Sequence, residues 1–289
     1  MAQGDWHMYT QTNAGGLSHL ISDINAYSVD DETSLASFIR QRKEEMVAAQ
    51  DDFHHFHLLM RDLEKTLLRD NKSDALPSRA IDHLDAEEME VLNYLYCLWE
   101  TKLENRFVYF LKNNVVKHYL DYTLYARFER LIEREVSLLR GVKPGRLLFI
   151  GSGPMPITAL CLQQRLGIPI DCLEKYQTAV DESKSVMKML SCENAINIYQ
   201  GYGEEIDASQ YDVVLVALLA KPKHDILTQI RDTSKDDVRI ICRTSEGSRK
   251  VFYEPTEDTS IPVGLRTVAH EKAGIDDTIS SYLLKKVKQ

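Results

Sequence analysis

From residue 146 onward, short β-branched runs alternate with helix-like stretches, and that alternation limits this part of the chain to a parallel sheet with helices packed on both faces. The runs are RLLFI (146–150), IPIDCLE (168–174), AINIYQ (195–200), YDVVLVAL (211–218) and VRIICRT (238–244). Helices are expected from Pro156, Thr178 and Pro222, and two late strands near 265–270 and 279–287. Residues 33 to about 140 follow a different period, with long charged segments, apolar residues three and four apart, and few glycines or prolines. Residues 34–70 predict one or two amphipathic helices and residues 85–115 another long one. Glycine and proline cluster in RGVKPGR (140–146), where the period changes. The predicted architecture is α/β: an N-terminal helical bundle domain over 1–140, then a Rossmann-like domain over 141–289.

Charge and cysteine usage narrow the function classes. Lys plus Arg number 35 against 44 Asp plus Glu, a net −9, with no long basic block, so a nucleic-acid backbone is not an expected partner. Cys97, Cys161, Cys172, Cys192 and Cys242 are scattered, odd in number and never spaced C-x-x-C, which fits a reducing cytoplasm. The first residues carry Asp5 and no apolar core of a signal peptide, and no run approaches the roughly 20 apolar residues of a bilayer span, so neither export nor a membrane is expected. His54, His55 and His57 invite a metal reading, but zinc needs three or four converging ligands, and a solvated helix face is the simpler expectation. G-x-S-x-G, H-E-x-x-H and Walker sequences are absent.

In open α/β sheets the first strand-to-helix turn is the usual ligand cradle. Here it reads LLFIGSGPMPITAL (147–160), with Gly151, Ser152, Gly153 and Pro154, and with Pro156 where a dinucleotide fingerprint has its third glycine. Glycines admit close backbone approach, whereas a proline removes an amide donor that a pyrophosphate would use. Glu174 ends the second run about 20 residues on, where such folds place a carboxylate on ribose hydroxyls. The pair suggests adenosine binding with little need for phosphate, as in S-adenosylmethionine; a dinucleotide or flavin site, or a plain tight turn, stays open from these residues alone.

Four stretches, RLLFIGSGPMPITAL, IDCLEKY, YDVVLVALLAKPK and CRTSEGSRKVFYEP, together resemble nicotianamine synthases, most closely the short archaeal and bacterial members that include synthases of staphylopine-type and pseudopaline-type opine metallophores. The helical half resembles the family more loosely, through Lys102-Leu103-Glu104 and the aromatic segment from Tyr119 to Phe128. The resemblance implies a class I S-adenosylmethionine-dependent transferase fold. It also implies transfer of the 3-amino-3-carboxypropyl (aminobutanoyl) arm of S-adenosylmethionine, as co-substrate, to an amine, with release of methylthioadenosine and no metal.

By the same resemblance Glu104 is the carboxylate that takes the proton of the attacking amine. Phe128 falls where the family has a tyrosine, so the missing hydroxyl would come from Tyr125, Tyr122 or a water. That departure favours histidine as acceptor over repeated self-condensation. Gly201, Tyr202 and Leu218 are expected around the cofactor, and Arg243 as a carboxylate clamp for cofactor or acceptor. The expected partners are a small amino-acid substrate and a separate opine dehydrogenase, with a homodimer left open. An ordinary methyltransferase, a nicotianamine synthase proper and a non-catalytic binding protein are the alternatives.

Overall fold

A computed structural model describes residues 31–68 and 75–287. The expectation about a leader falls on residues 1–30 and lies outside the described residues. The helical half comprises α1 (Glu32–Ala49), α2 (Phe53–Leu68), α3 (Ala75–Ile81), α4 (Ala86–Lys112) and α5 (Tyr125–Leu138). The described part of the stretch from 34 thus makes two helices, divided at 50–52.

Helix α4 organises this half. Its start is fixed by a capping box: the Asp85 carboxylate accepts from Glu88 N at 2.8 Å, and the Glu88 side chain accepts from Asp85 N at 3.0 Å. At 27 residues it is roughly 40 Å long. Leu92, Leu95, Tyr96, Trp99, Leu103 and Phe107 bury one stripe of it. Tyr96 packs on Phe252 and edge-on against Tyr253, and the Asn93 amide donates to Lys250 O and Val251 O, so α4 is fastened to the C-terminal half.

The sheet holds β1 (Leu147–Ile150), β2 (Ile170–Glu174), β3 (Ile196–Gln200), β4 (Val213–Val216), β5 (Arg239–Thr244), β6 (Leu265–Glu271) and β7 (Ser280–Lys286), in the order β3-β2-β1-β4-β5-β7-β6. The first five strands are parallel, but β7 runs antiparallel between β5 and β6. The expectation of a wholly parallel sheet is therefore corrected. Without a crossover helix between them, β6 and β7 return as an antiparallel pair.

Intervening helices are α6 (Ile157–Leu166), α7 (Gln177–Met189) and α8 (Lys223–Thr233). The period-two alternation divides the strands between two cores. Leu147, Phe149, Leu215 and Ile241 join one that also contains the apolar faces of α6 and α7 and those of α1, α2, α4 and α5. Leu148, Ile150, Val214 and Ile240 join a smaller core against α8. The helical half therefore has no apolar centre separate from the sheet. All five cysteines are free thiols, and no described helix is long and apolar enough to cross a membrane.

Candidate active site

The turn after β1 holds Gly151 at φ +84° and Gly153 at φ +68°, a region glycine enters without steric cost. The two have different neighbours. A Cβ on Gly151 would lie 3.1 Å from Ala217 Cβ and 3.2 Å from Ala220 Cβ, so this glycine lets the loop after β4 close on the turn. A Cβ on Gly153 would lie 3.2 Å from Glu104 Oε2, so this glycine admits a carboxylate from the helical half.

Glu174 braces the cradle: Oε2 accepts from Gly153 N at 2.9 Å and Oε1 from Tyr176 N at 3.0 Å. Each oxygen keeps a lone pair for a diol. The amides of Gly151 and Ile157 are also engaged, by Leu173 O and Met155 O, while Pro154 and Pro156 have none. A turn with its amides so occupied suits an uncharged adenosyl group better than a pyrophosphate. Pro156 is the residue capping α6, which begins at Ile157; Ser152 is buried beneath the turn.

Beyond β2 and β3, Tyr176 and Tyr202 present exposed rings, and the Lys175 ammonium lies 6.0 Å and 5.5 Å from their centroids. Gly201 is pressed against Leu173, whose Cδ1 would lie 2.9 Å from an added Cβ. Leu218 is buried, and its neighbour Leu219 is exposed. Lys223 Nζ donates to the carbonyls of Ala217 and Leu218, and burial brings its pKa down to about 8. Leu219 belongs to the loop Leu218-Leu219-Ala220-Lys221 that the sequence led us to expect along the aminobutanoyl arm, whereas sequence reasoning assigned no part to Tyr176 or Lys223, although the A-L-L-A-K-P-K string contains the latter.

Glu104 occupies the edge of the buried stripe of α4. Desolvation pushes its carboxyl well above the usual range, and the charges of Glu100 and Glu174 push in the same direction. Glu100, one turn earlier, is raised to about 7, chiefly by burial; its Oε2 accepts from Tyr253 Oη at 2.6 Å. Sequence reasoning missed Glu100, although its i−4 spacing from Glu104 puts both on one face. The Tyr122 hydroxyl is buried without a hydrogen-bond partner, and burial with the nearby Glu104 and Glu100 holds its pKa well above the ordinary value. Its ring contacts Phe107 and Phe128, at 5.2 Å and 6.4 Å between centroids.

Tyr125, the other aromatic candidate, turns away from this cluster. It sits beside Tyr119, and its hydroxyl donates to Glu129 at 3.4 Å. Arg243, expected as a substrate clamp, is committed elsewhere. Its Nε and Nη2 donate to the two oxygens of Glu135 at 2.8 Å and 2.9 Å, and Nη1 reaches Thr158 at 3.1 Å, all within the interior. The bidentate fork is thus used up inside the protein. His54 and His55 are exposed, while His57 accepts from Trp99 Nε1 at 3.0 Å, and burial lowers its pKa. Among the described residues no three histidine, cysteine, aspartate or glutamate side chains are grouped to hold a metal ion.

A strand order of β3-β2-β1-β4-β5-β7-β6 with antiparallel β7, a glycine turn after β1 and an acidic end to β2 together define a Rossmann-like class I S-adenosylmethionine-dependent transferase fold, here capped by helices. More narrowly, the chain belongs to the nicotianamine synthase family: the model described as nicotianamine synthase protein matches residues 35–289. An L-histidine 2-aminobutanoyltransferase of Pseudomonas aeruginosa is 27% identical over 120 residues, covering 40% of this chain and 44% of that protein. A probable nicotianamine synthase 3 of Hordeum vulgare is 24% identical over 220 residues, covering 69% of this chain and 64% of that protein. The chain thus aligns with about half the length of the L-histidine 2-aminobutanoyltransferases it matches. Among solved structures, MtNAS in complex with MTA and tNA superposes with a TM-score of 0.78 at 23% identity, over 87% of this chain and 98% of that one. A point mutant of MtNAS in complex with S-adenosylmethionine gives 0.74, over 86% and 98%.

Proposed function

We propose that the protein transfers the aminobutanoyl group of S-adenosylmethionine to the α-amine of an amino acid, histidine being the expected acceptor, and releases methylthioadenosine. The observation that carries this is the contact between Gly153 in the cradle and Glu104 on α4: it sets a desolvated carboxyl beside the turn that would hold the adenosyl sulfonium. Bound S-adenosylmethionine supplies an electrophilic carbon next to its sulfonium. Which carbon reacts is decided by which one faces the nucleophile, so position selects arm transfer over methyl transfer.

An acceptor amine enters as an ammonium and must lose a proton before its lone pair can attack. A carboxyl whose proton affinity is raised is better matched to that transfer than an ordinary glutamate, and an arriving cation favours its ionised form. Glu104 then holds the proton as the new C–N bond forms. Tyr122 places an unpaired hydroxyl in the same cluster as Phe128, and it is the hydroxyl we assign to orienting the amine. Glu174 would hold the ribose, with Gly151, Ser152, Gly153 and Pro154 shaping the cradle, Gly201 and Tyr202 alongside the adenine, and Leu218 backing the loop beside the arm.

The product would be a nicotianamine-like intermediate of an opine metallophore. A reductive step completing an opine would then fall to a separate dehydrogenase. Mass spectrometry of the purified protein with S-adenosylmethionine and a mixture of L- and D-amino acids tests the reading. The expected result is methylthioadenosine and one acceptor heavier by an aminobutanoyl unit. S-adenosylhomocysteine with a methylated product would overturn it in favour of a methyltransferase.

A further inference from the structure

In the string CRTSEGSRKVFYEP (242–255), Tyr253 reaches from the sheet half to α4. Its hydroxyl donates to Glu100 Oε2 at 2.6 Å. The residue is fixed from both sides. Its carbonyl accepts from Ser245 Oγ at 2.6 Å and its amide donates to Arg249 O at 3.3 Å, while the ring stands edge-on to Tyr96 at 4.9 Å between centroids. A buried tyrosine anchored in this way presents its hydroxyl at one place.

Glu100 and Glu104 are one turn apart on α4, which sets their Cβ atoms about 5–6 Å apart on one face. Both keep part of their surface accessible. Two carboxyls so close give up their protons in two steps, and the surroundings decide which ionises first. Those surroundings are unequal. Glu100 has the Tyr253 hydroxyl, and the charges of Arg127 on α5 and Arg243 on β5 also favour its ionised form; Glu64 on α2 opposes them. Its neighbours Tyr96 and Cys97 lie on α4 itself, and burial keeps both neutral. Glu104 is faced by Glu100, by Glu174 on β2 and by the Tyr122 hydroxyl, and both acids disfavour its ionisation. Among the described residues neither a cation nor a hydrogen-bond donor offsets this.

We propose that Tyr253 and Glu100 are a positioning pair for Glu104: the Tyr253 hydroxyl holds Glu100 as the carboxylate of the two acids, and the charge so fixed makes Glu104 the one that takes the proton of the attacking amine. The proposal rests on the transferase reading for the amine and adds to it what sets the basicity of Glu104. The ammonium N–H bond breaks toward Glu104, the freed lone pair forms the C–N bond, and the C–S electrons return to sulfur as methylthioadenosine leaves. Glu100 and Tyr253 act only through Glu104.

Carboxyl-carbon NMR of glutamate-labelled protein follows both acids without turnover, the two resonances being those lost in Glu104→Gln and Glu100→Gln. In wild type Glu100 should ionise at the lower pH. Glu100→Gln should bring the Glu104 midpoint down by about one pH unit or more, because a like charge has gone. Tyr253→Phe keeps both acids and the ring; it should raise the Glu100 midpoint and lower that of Glu104, so that the two converge or exchange order. In the pH profile of kcat/KM, whose acid limb reports the base of the free enzyme, both variants should shift that limb to lower pH. A Glu104 midpoint unmoved in either variant, Glu104 ionising first in wild type, or an acid limb that stays in place would overturn the pair and leave the transferase reading standing. Midpoints that move as expected in a protein releasing no methylthioadenosine would remove the transferase reading and leave the coupled carboxyls standing.

Discussion

Two charged groupings, one fully buried around Glu135 and Arg243 and one half-buried around Glu100 and Glu104, are built in opposite ways. In one, Arg243 meets both oxygens of Glu135, Ser281 Oγ donates to the same carboxylate at 2.8 Å, and Thr158 takes a third nitrogen. Most of its hydrogen-bonding capacity is met within the protein. In the other, Glu104 and Glu100 repel each other, and among the described residues Tyr122 Oη and Thr278 Oγ1 have no partners and no arginine forms an ion pair with either glutamate. A satisfied pair anchors α5 to the sheet; an unsatisfied one is suited to receiving a ligand. Satisfaction, more than burial or residue type, separates a brace from a site.

That contrast can be broken, most forcefully at Glu104. Glu104→Gln should lower methylthioadenosine formation by about 10²–10⁴-fold, the range of a lost general base, while the melting temperature holds or rises. Wild-type turnover in that variant would remove Glu104 from the chemistry. Glu135→Ala should do the converse. Leaving Arg243 buried and unpaired costs about 3–5 kcal/mol, read as a fall in urea midpoint, and activity per folded molecule should survive. A stable Glu135→Ala protein without turnover would erase the distinction.

Glu100 gives a pH test. Its folded value of about 7 lies above the ordinary 4.5, so the native state binds more protons than the unfolded chain between those values. Stability should therefore fall as pH rises from about 4.5 to 7, by at most about 3 kcal/mol from this residue. Glu100→Gln should flatten that slope, leaving pH 4 unchanged and raising the urea midpoint at pH 8. An unchanged slope would place Glu100 in water. The smallest expected difference separates two tyrosines. Tyr122→Phe should slow turnover about tenfold, the worth of one hydrogen bond to a charged group, whereas Tyr125→Phe stays within twofold. Equal effects would mean that the unpaired hydroxyl has no special role.

Much of the fold was legible because the five parallel strands are short, largely apolar runs bounded by glycine, proline or a helical period. The antiparallel β7 was not, since the sequences of β6 and β7 do not state which neighbour each will pair with. Within the site, the glycines and Glu174 follow from the turn itself, and Glu104 came through family resemblance alone, for nothing local distinguishes it from Glu100 or Arg106. Arg243 was misjudged because its partner, Glu135, is 108 residues away and reaches it only when α5 folds over the sheet. The Tyr122–Tyr125 ambiguity has a local cause. Tyr122 follows a short 3₁₀ turn, Tyr119–Asp121, and lies outside α5, so helical spacing back from Phe128 does not predict where it points.

The apolar stripe of α4 and one face of the sheet belong to one continuous core. The consequence is cooperativity: neither half can melt while the other stays dry. Calorimetry should record a single transition, and a fragment ending near residue 140 should remain unfolded. Glu104 and the glycine turn it faces, 49 residues apart in sequence, would then be acquired and lost together, with no folded state in which the cradle exists without its carboxylate.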